Sequence, residues 1–256
     1  MCGRYALLAR TDLLREFLGI VDVEDPPARY NIAPTQPILI VVAGERQEPG
    51  SNLPERRAVL VRWGFMPGWV KDPRDFPLLI NARSETAVGK ASFKAAMRHR
   101  RILVPASGFF EWRRPEEKGA KAQAYFIRPR KGEIVAFAGL METWSSADGS
   151  EVDTGAILTT AANNDISRIH DRMPVVIRPE DFSRWLDCKA QEPRDVADLM
   201  KPIDDGFFEA IAISDKVNKV ANMGPDILEP VEEEAPMPQK NKGAQAPPSS
   251  DQLSLF

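Results

Sequence analysis

Ile102-Leu103-Val104-Pro105-Ala106-Ser107-Gly108-Phe109-Phe110-Glu111-Trp112 is the stretch on which the fold turns. Ile102 to Pro105 is an apolar run of strand length that leads into Gly108-Phe109-Phe110-Glu111-Trp112. Working downstream, Gln123 to Ile127, Glu133 to Leu140 and Thr154 to Leu158 are further strand candidates separated by polar turns, and Phe207 to Ile213 is a last one. Upstream lie Ile38 to Val42, Ala58 to Arg62 and Leu78 to Ile80, with Tyr30 to Thr35 as a turn-rich loop and Gly44 to Arg57 as an exposed one. Helices fall irregularly between them. Thr11 is placed to cap a short helix that ends at Gly19. Others are expected at Lys90 to His99, Pro179 to Leu186 and Pro193 to Met200, the last two with proline near the first turn. No repeat is present. The pattern predicts an α+β fold with a β-rich, largely antiparallel core and peripheral short helices.

At 256 residues, 43% hydrophobic and 28% charged, the chain can bury a core without staples. No apolar run reaches the roughly 18–20 residues of a membrane helix, and no basic-then-apolar leader is present. Two cysteines, Cys2 and Cys188, cannot make a disulfide framework, which points to a reducing cytoplasm. With only His99 and His170 as histidines, neither a zinc site nor any other metal or cofactor is expected. The net charge of −3 hides an uneven chain. Residues 225–256 hold two lysines and six acids; without them, the 34 basic and 37 acidic residues become 32 and 31. That near-neutral body neither implies nor excludes a nucleic-acid partner.

Five features carry candidate chemistry. Met1 precedes a small residue, so its removal by an aminopeptidase is expected, leaving Cys2 with an α-amine and a thiol on adjacent carbons. An α-amine titrates at about 7.7–8.0, against about 10.4 for lysine, so near neutrality it is a few hundred-fold richer in the attacking form. Such a pair suits an aldehyde, the amine forming a Schiff base that the thiol closes to a thiazolidine; the alternative is a frayed terminus. Glu111 sits among apolar neighbours that would raise its pKa toward that of a useful general acid, or it is a salt-bridged structural residue. His170, beside Asp171 and Arg172, is either catalytic or structural. Arg83 could bind a phosphate through its planar fork, while Ser84 is placed as a helix cap. The aromatic run Trp63 to Trp69 is a packed turn or a stacking platform for bases, and Arg98 to Arg101 reads as a solvated basic face.

Taken together, Cys2-Gly3-Arg4, Tyr30 to Pro34, Trp63 to Trp69, Asn81 to Thr86, Gly108 to Trp112 and His170 to Pro174 resemble the SOS-response-associated peptidase (SRAP) family. Each block alone is weak; six in register from Cys2 to about Val231 are specific. The resemblance implies covalent capture of abasic sites in single-stranded DNA, with Cys2 as nucleophile. It implies that Asn81 orients the terminal residue and the sugar, that Glu111 is the general acid and base, and that His170 assists proton transfers. Arg4, Arg83 and Arg172 are implied to contact the DNA backbone. Trp69 and Trp112 would line the site for unstacked DNA, and Thr159 falls at a site position. A cysteine peptidase built on Cys2 and His170, and a non-enzymatic recognition module for damaged single strands, are the competing readings.

Past Gly224 prolines alternate with acids, lysines, Gln and Ser, the composition of a disordered segment. The expected organisation is one SRAP-type domain over 1–231, a linker over 232–251 and a terminal peptide over 252–256. In that peptide Gln252, Leu253, Leu255 and Phe256 resemble the bacterial sliding-clamp-binding motif, glutamine anchoring one subsite and Leu-Phe filling an apolar pocket. Pro225 to Asp251 would span roughly 30 Å as a coil, enough to tether the domain near a clamp. The expected state is a monomer in the cytoplasm, associated with the nucleoid when bound to DNA.

Overall fold

The computed structural model describes residues 2–21, 23, 27–44, 55–115 and 121–232. Among these residues the strands are, in chain order, β1 Tyr5–Leu7, β2 Arg29–Ile32, β3 Pro37–Ala43, β4 Arg56–Trp63, β5 Asn81–Arg83, β6 Arg101–Ala106 and β7 Gly108–Arg113. They continue with β8 Gln123–Pro129, β9 Val135–Ser145, β10 Glu151–Ala161, β11 Arg172–Pro174, β12 Val176–Ile177 and β13 Phe208–Ile213. Four short α-helices accompany them: α1 Thr11–Leu18, α2 Ser84–Ala87, α3 Lys94–His99 and α4 Phe182–Leu186. The fold is α+β and β-rich, as the pattern of apolar runs predicted.

The strands make two sheets. The first is antiparallel throughout, in the order β13-β8-β7-β1-β2. The second runs β11-β10-β4-β3-β6-β9-β12 and adds β5 on β10. Because β9 also pairs with β10, strands β4, β3, β6, β9 and β10 close into a ring. Its parallel pairings are β10 with β4 at Thr154–Gly155 and β10 with β5 at Ile157–Thr159.

The stretch 101–113 belongs to both sheets. β6 lies in the ring, β7 lies in the first sheet, and Ser107 is the corner between them. Its N–H donates to the Ala6 carbonyl at 2.7 Å and its hydroxyl accepts from Leu8 N–H at 2.9 Å, which ties the corner to β1. Gly108 follows because nothing larger fits: a Cβ there would lie 2.5 Å from the Ile127 carbonyl oxygen. With a period of two along β7, Phe109 and Glu111 share one face and Phe110 and Trp112 the other. Phe109 packs edge-on against Phe137 of β9 and Phe208 of β13, joining the sheets. Phe110 joins a second cluster with Phe126, Ile213, Val217 and Ile227. The first sheet is therefore covered on both faces, and Glu111 points into the main core.

Several expectations are corrected. Thr11 is the first residue of α1, not its cap; Arg10 occupies the cap position, without a side-chain bond, while Gly19 stops the helix in the left-handed region at φ 63°. Ser84 likewise opens α2, with Arg83 at the cap. The predicted helix over 90–99 is α3 only from Lys94, and Pro193–Met200 is a 3-10 helix. Tyr30 to Ile32, read as loop, belongs to β2. The exposed loop expected from Gly44 to Arg57 mostly lies outside the described residues, but Arg56 and Arg57 are in β4. Arg101 is not a solvated cation: it is 2% exposed and donates to the carbonyls of Trp185, Met97, Asp187 and Gln191. It joins the start of β6 to the segment after α4, and a buried charge is tolerated there because its donors are widely used.

Candidate active site

The N-terminal residues are held by β1, which lies between β2 and β7. Tyr5 pairs with Phe109, and Phe110 N–H donates to the Arg4 carbonyl at 2.9 Å. Cys2 lies in the same core cluster as Tyr5 and Phe109, on the face of β7 that also carries Glu111. Cys2 is fully buried, with Sγ 3.9 Å from the Arg4 carbonyl oxygen. Burial first, and then the charge of Glu111, push its thiol well above the usual range. Glu111 itself is 3% exposed, and burial raises its pKa against the opposing pull of the terminal amine's charge and of His170. These influences place Glu111 within electrostatic reach of both Cys2 and His170.

The opposite wall is built on the second half of β10. Asn81 enters at the start of β5, paired with Ile157, and its Nδ2 donates to the Ile157 carbonyl at 3.4 Å. Its Oδ1 is buried and has no hydrogen-bond partner among the described residues. Such an orphan is uncommon in native cores. His170 closes the turn that begins at Asn163, its N–H donating to the Ile166 carbonyl at 3.0 Å. Its Nδ1 lies 2.9 Å from both Arg172 N–H and Asp171 Oδ1. Nδ1 cannot accept from one and donate to the other at once. Asp171 is 86% exposed, so the backbone donor decides the neutral form, and the proton then sits on Nε2.

Of the residues implied to contact DNA, Arg172 is already engaged. It forms a two-point pair with Glu85 at 2.7 and 2.8 Å and donates to the Thr159 carbonyl at 2.6 Å. That pair holds the Glu85 carboxyl below the usual carboxylate range. Thr159 is fully buried, its hydroxyl 3.4 Å from the same guanidinium. Arg83 is exposed and lines a groove of about 610 Å³ with Glu85, Thr86, Gly89 and Lys90. Trp69 is 60% exposed and meets Phe76 edge-on at 5.4 Å, away from the packed turn that Trp63 and Phe65 form. Trp112 is half-buried and donates from Nε1 to Asn218 Oδ1 at 2.8 Å. A larger cavity of about 1010 Å³, lined by Val59, Arg100, Met141 and Cys188 among others, contains none of these residues. Among the described residues no three His, Cys, Asp or Glu side chains gather as a metal site would need. Nor is any helix there long and apolar enough to cross a membrane.

Sequence reading missed Asn31, Glu85 and Asn218, each of which holds a candidate site residue. Asn31 and Glu85 lie inside blocks that carry the family resemblance, so their presence there was the available signal. Asn218 had none. Gln252, Leu253, Leu255 and Phe256 lie outside the described residues.

Cys2 and Glu111, both buried where an antiparallel sheet meets a mixed one, are the centre of the candidate site in this chain. The chain belongs to the SOS response associated peptidase (SRAP) family, which matches residues 1–220. Among its relatives, the abasic site processing protein YoqW of Bacillus subtilis is 35% identical over 233 residues, covering 90% of this chain and 99% of the relative. The abasic site processing protein YedK of Escherichia coli is 32% identical, covering 90% and 100%. A crystal structure of a protein from Bacteroides thetaiotaomicron, 24% identical, superposes with a TM-score of 0.72 over 90% of this chain and all of the other, which establishes the shared fold.

Proposed function

We propose that the chain captures abasic sites in single-stranded DNA covalently through Cys2. The observation that carries this reading is the pairing of Cys2 with a buried, protonation-prone Glu111. An abasic sugar is mostly a closed hemiacetal. Protonated Glu111 gives its proton to the ring oxygen as the C–O bond breaks, and its carboxylate takes the hydroxyl proton, leaving an aldehyde. The Cys2 amine, freed by loss of Met1, adds to that carbon and water leaves as the Schiff base forms. The thiol then adds across the C=N bond, its proton passing to nitrogen, and closes a five-membered thiazolidine. Amine-first order follows from the thiol's surroundings: burial and Glu111 disfavour the thiolate that a cysteine peptidase needs. Asn81 Oδ1 is available to the amine or to a sugar hydroxyl, and His170 assists proton transfers at the sugar. Names of relatives at 35% and 32% identity support the substrate.

The test is uracil-containing single-stranded DNA treated with uracil glycosylase, incubated with protein and run on a denaturing gel. Wild type gives a heat-resistant shifted band and Cys2→Ala gives none; absence of the wild-type band overturns the reading. Within it, residues 1–231 form the working domain, and residues 252–256 bind the sliding clamp through Gln252, Leu253, Leu255 and Phe256 on a tether.

A further inference from the structure

Asn31 carries no charge and takes no part in the chemistry above, yet it is 4% exposed and its carboxamide is used on every side. Its Oδ1 accepts from Arg4 Nη1 at 2.8 Å. Its Nδ2 donates to the carbonyls of Asn222, Lys219 and Val217 at 2.9, 3.2 and 3.3 Å. Arg4 Nη1 also reaches the Val217 carbonyl at 2.9 Å. One nitrogen of the guanidinium is thus pinned between β2 and the turn at Asp215–Asn218. A planar fork pinned at Nη1 has its other edge, Nε with Nη2, fixed in direction. Arg4 Nε is buried and has no hydrogen-bond partner among the described residues. That edge is the one a pair of phosphate oxygens takes side by side. The same turn carries Asn218, which holds the Trp112 indole.

We propose that Asn31 is a positioning residue: it aims the Nε–Nη2 edge of Arg4 at a backbone phosphate of the strand bound beside Cys2, without touching that strand. The inference rests on the single-strand reading above. Only asparagine meets the geometry. Aspartate lacks the two donors and would neutralise Arg4, and glutamine is a methylene too long for a buried position.

The probe is a single-stranded oligonucleotide carrying a tetrahydrofuran spacer, which cannot open to an aldehyde, with affinity measured across salt concentrations. Each phosphate neutralised on a single strand contributes about 0.7 to the slope of log K against log salt. Asn31→Ala is expected to lower that slope by about 0.7 and to weaken binding about tenfold, the worth of one charge-assisted bond. Arg4→Ala should do the same, and the double variant should lose no more than either alone. Asn31→Asp should match Asn31→Ala. An unchanged slope in a folded Asn31 variant, or full additivity with Arg4→Ala, overturns the proposal. So does failure of both Asn31 variants to fold, which would assign the residue to the fold alone. Adduct formation on abasic DNA is run in parallel. A wild type that binds the spacer strand but forms no adduct sinks capture and leaves Asn31's role standing.

Discussion

Glu111 bears on the Cys2 thiol, and its own burial sets a pH dependence. A carboxyl whose folded pKa is raised adds stability that is present below its unfolded pKa and lost as pH rises through the folded value. Glu111→Gln should therefore raise Tm at neutral pH, with the gain vanishing near pH 4; each kcal/mol corresponds to about 2–4 °C at this size. The same substitution should slow adduct formation about 10²-fold or more, and wild-type rates should fall as pH rises through the Glu111 pKa. A flat profile would remove Glu111 from the acid role. Cys2→Ser keeps the amine and loses the thiol. It should give an adduct that survives heating only after borohydride reduction, and a heat-resistant band without borohydride would refute thiazolidine closure. In sequence Cys2, Glu111 and His170 stood out as candidates with a structural reading open beside each, and Asn81 entered only through the family resemblance. Asn31 was not legible, since beyond Arg4, 27 residues away, its partners are backbone carbonyls 186 to 191 residues away, which no local pattern announces.

At the scale of elements, β7 does two jobs: it bridges the sheets through Phe109 and delivers Glu111. Gly108 sets how closely β7 approaches β8. Gly108→Ala drives a methyl against the Ile127 carbonyl and should cost roughly 2–3 kcal/mol in denaturant unfolding. It should also depress adduct formation in the fraction that folds; an unperturbed rate would show that β7 can shift without moving its carboxyl. The longer strands could be read directly, because β3, β6, β9 and β10 are continuous or alternating apolar runs. β1, β2, β11 and β12 have three, four, three and two residues, too few for a period to register. Arg101 was misread for a related reason. Its neighbours Arg98 and Arg100 do reach water, and only the segment after α4 decides that the third arginine does not.

For the whole molecule, the α+β class was legible, but its closure was not. That β9 and β10 pair to shut the ring depends on long-range register, which strand composition does not encode. The tail should be separable from the domain: deleting residues 252–256 should abolish clamp affinity in a binding assay and leave the adduct rate unchanged. Unaltered clamp affinity would refute the motif. The buried chain end has a consequence in time. β1 is synthesised before β7, which follows it by about a hundred residues, and before His170, which follows by more, so Cys2 meets Glu111 only long after it is made. Cys2 is buried once β1 is seated. Under the proposed capture, Met1 departs either while the nascent chain is still open or later, cut by the groups that folding brings to it. A ribosome-bound fragment ending before residue 108, assayed for Met1, would tell the two clocks apart.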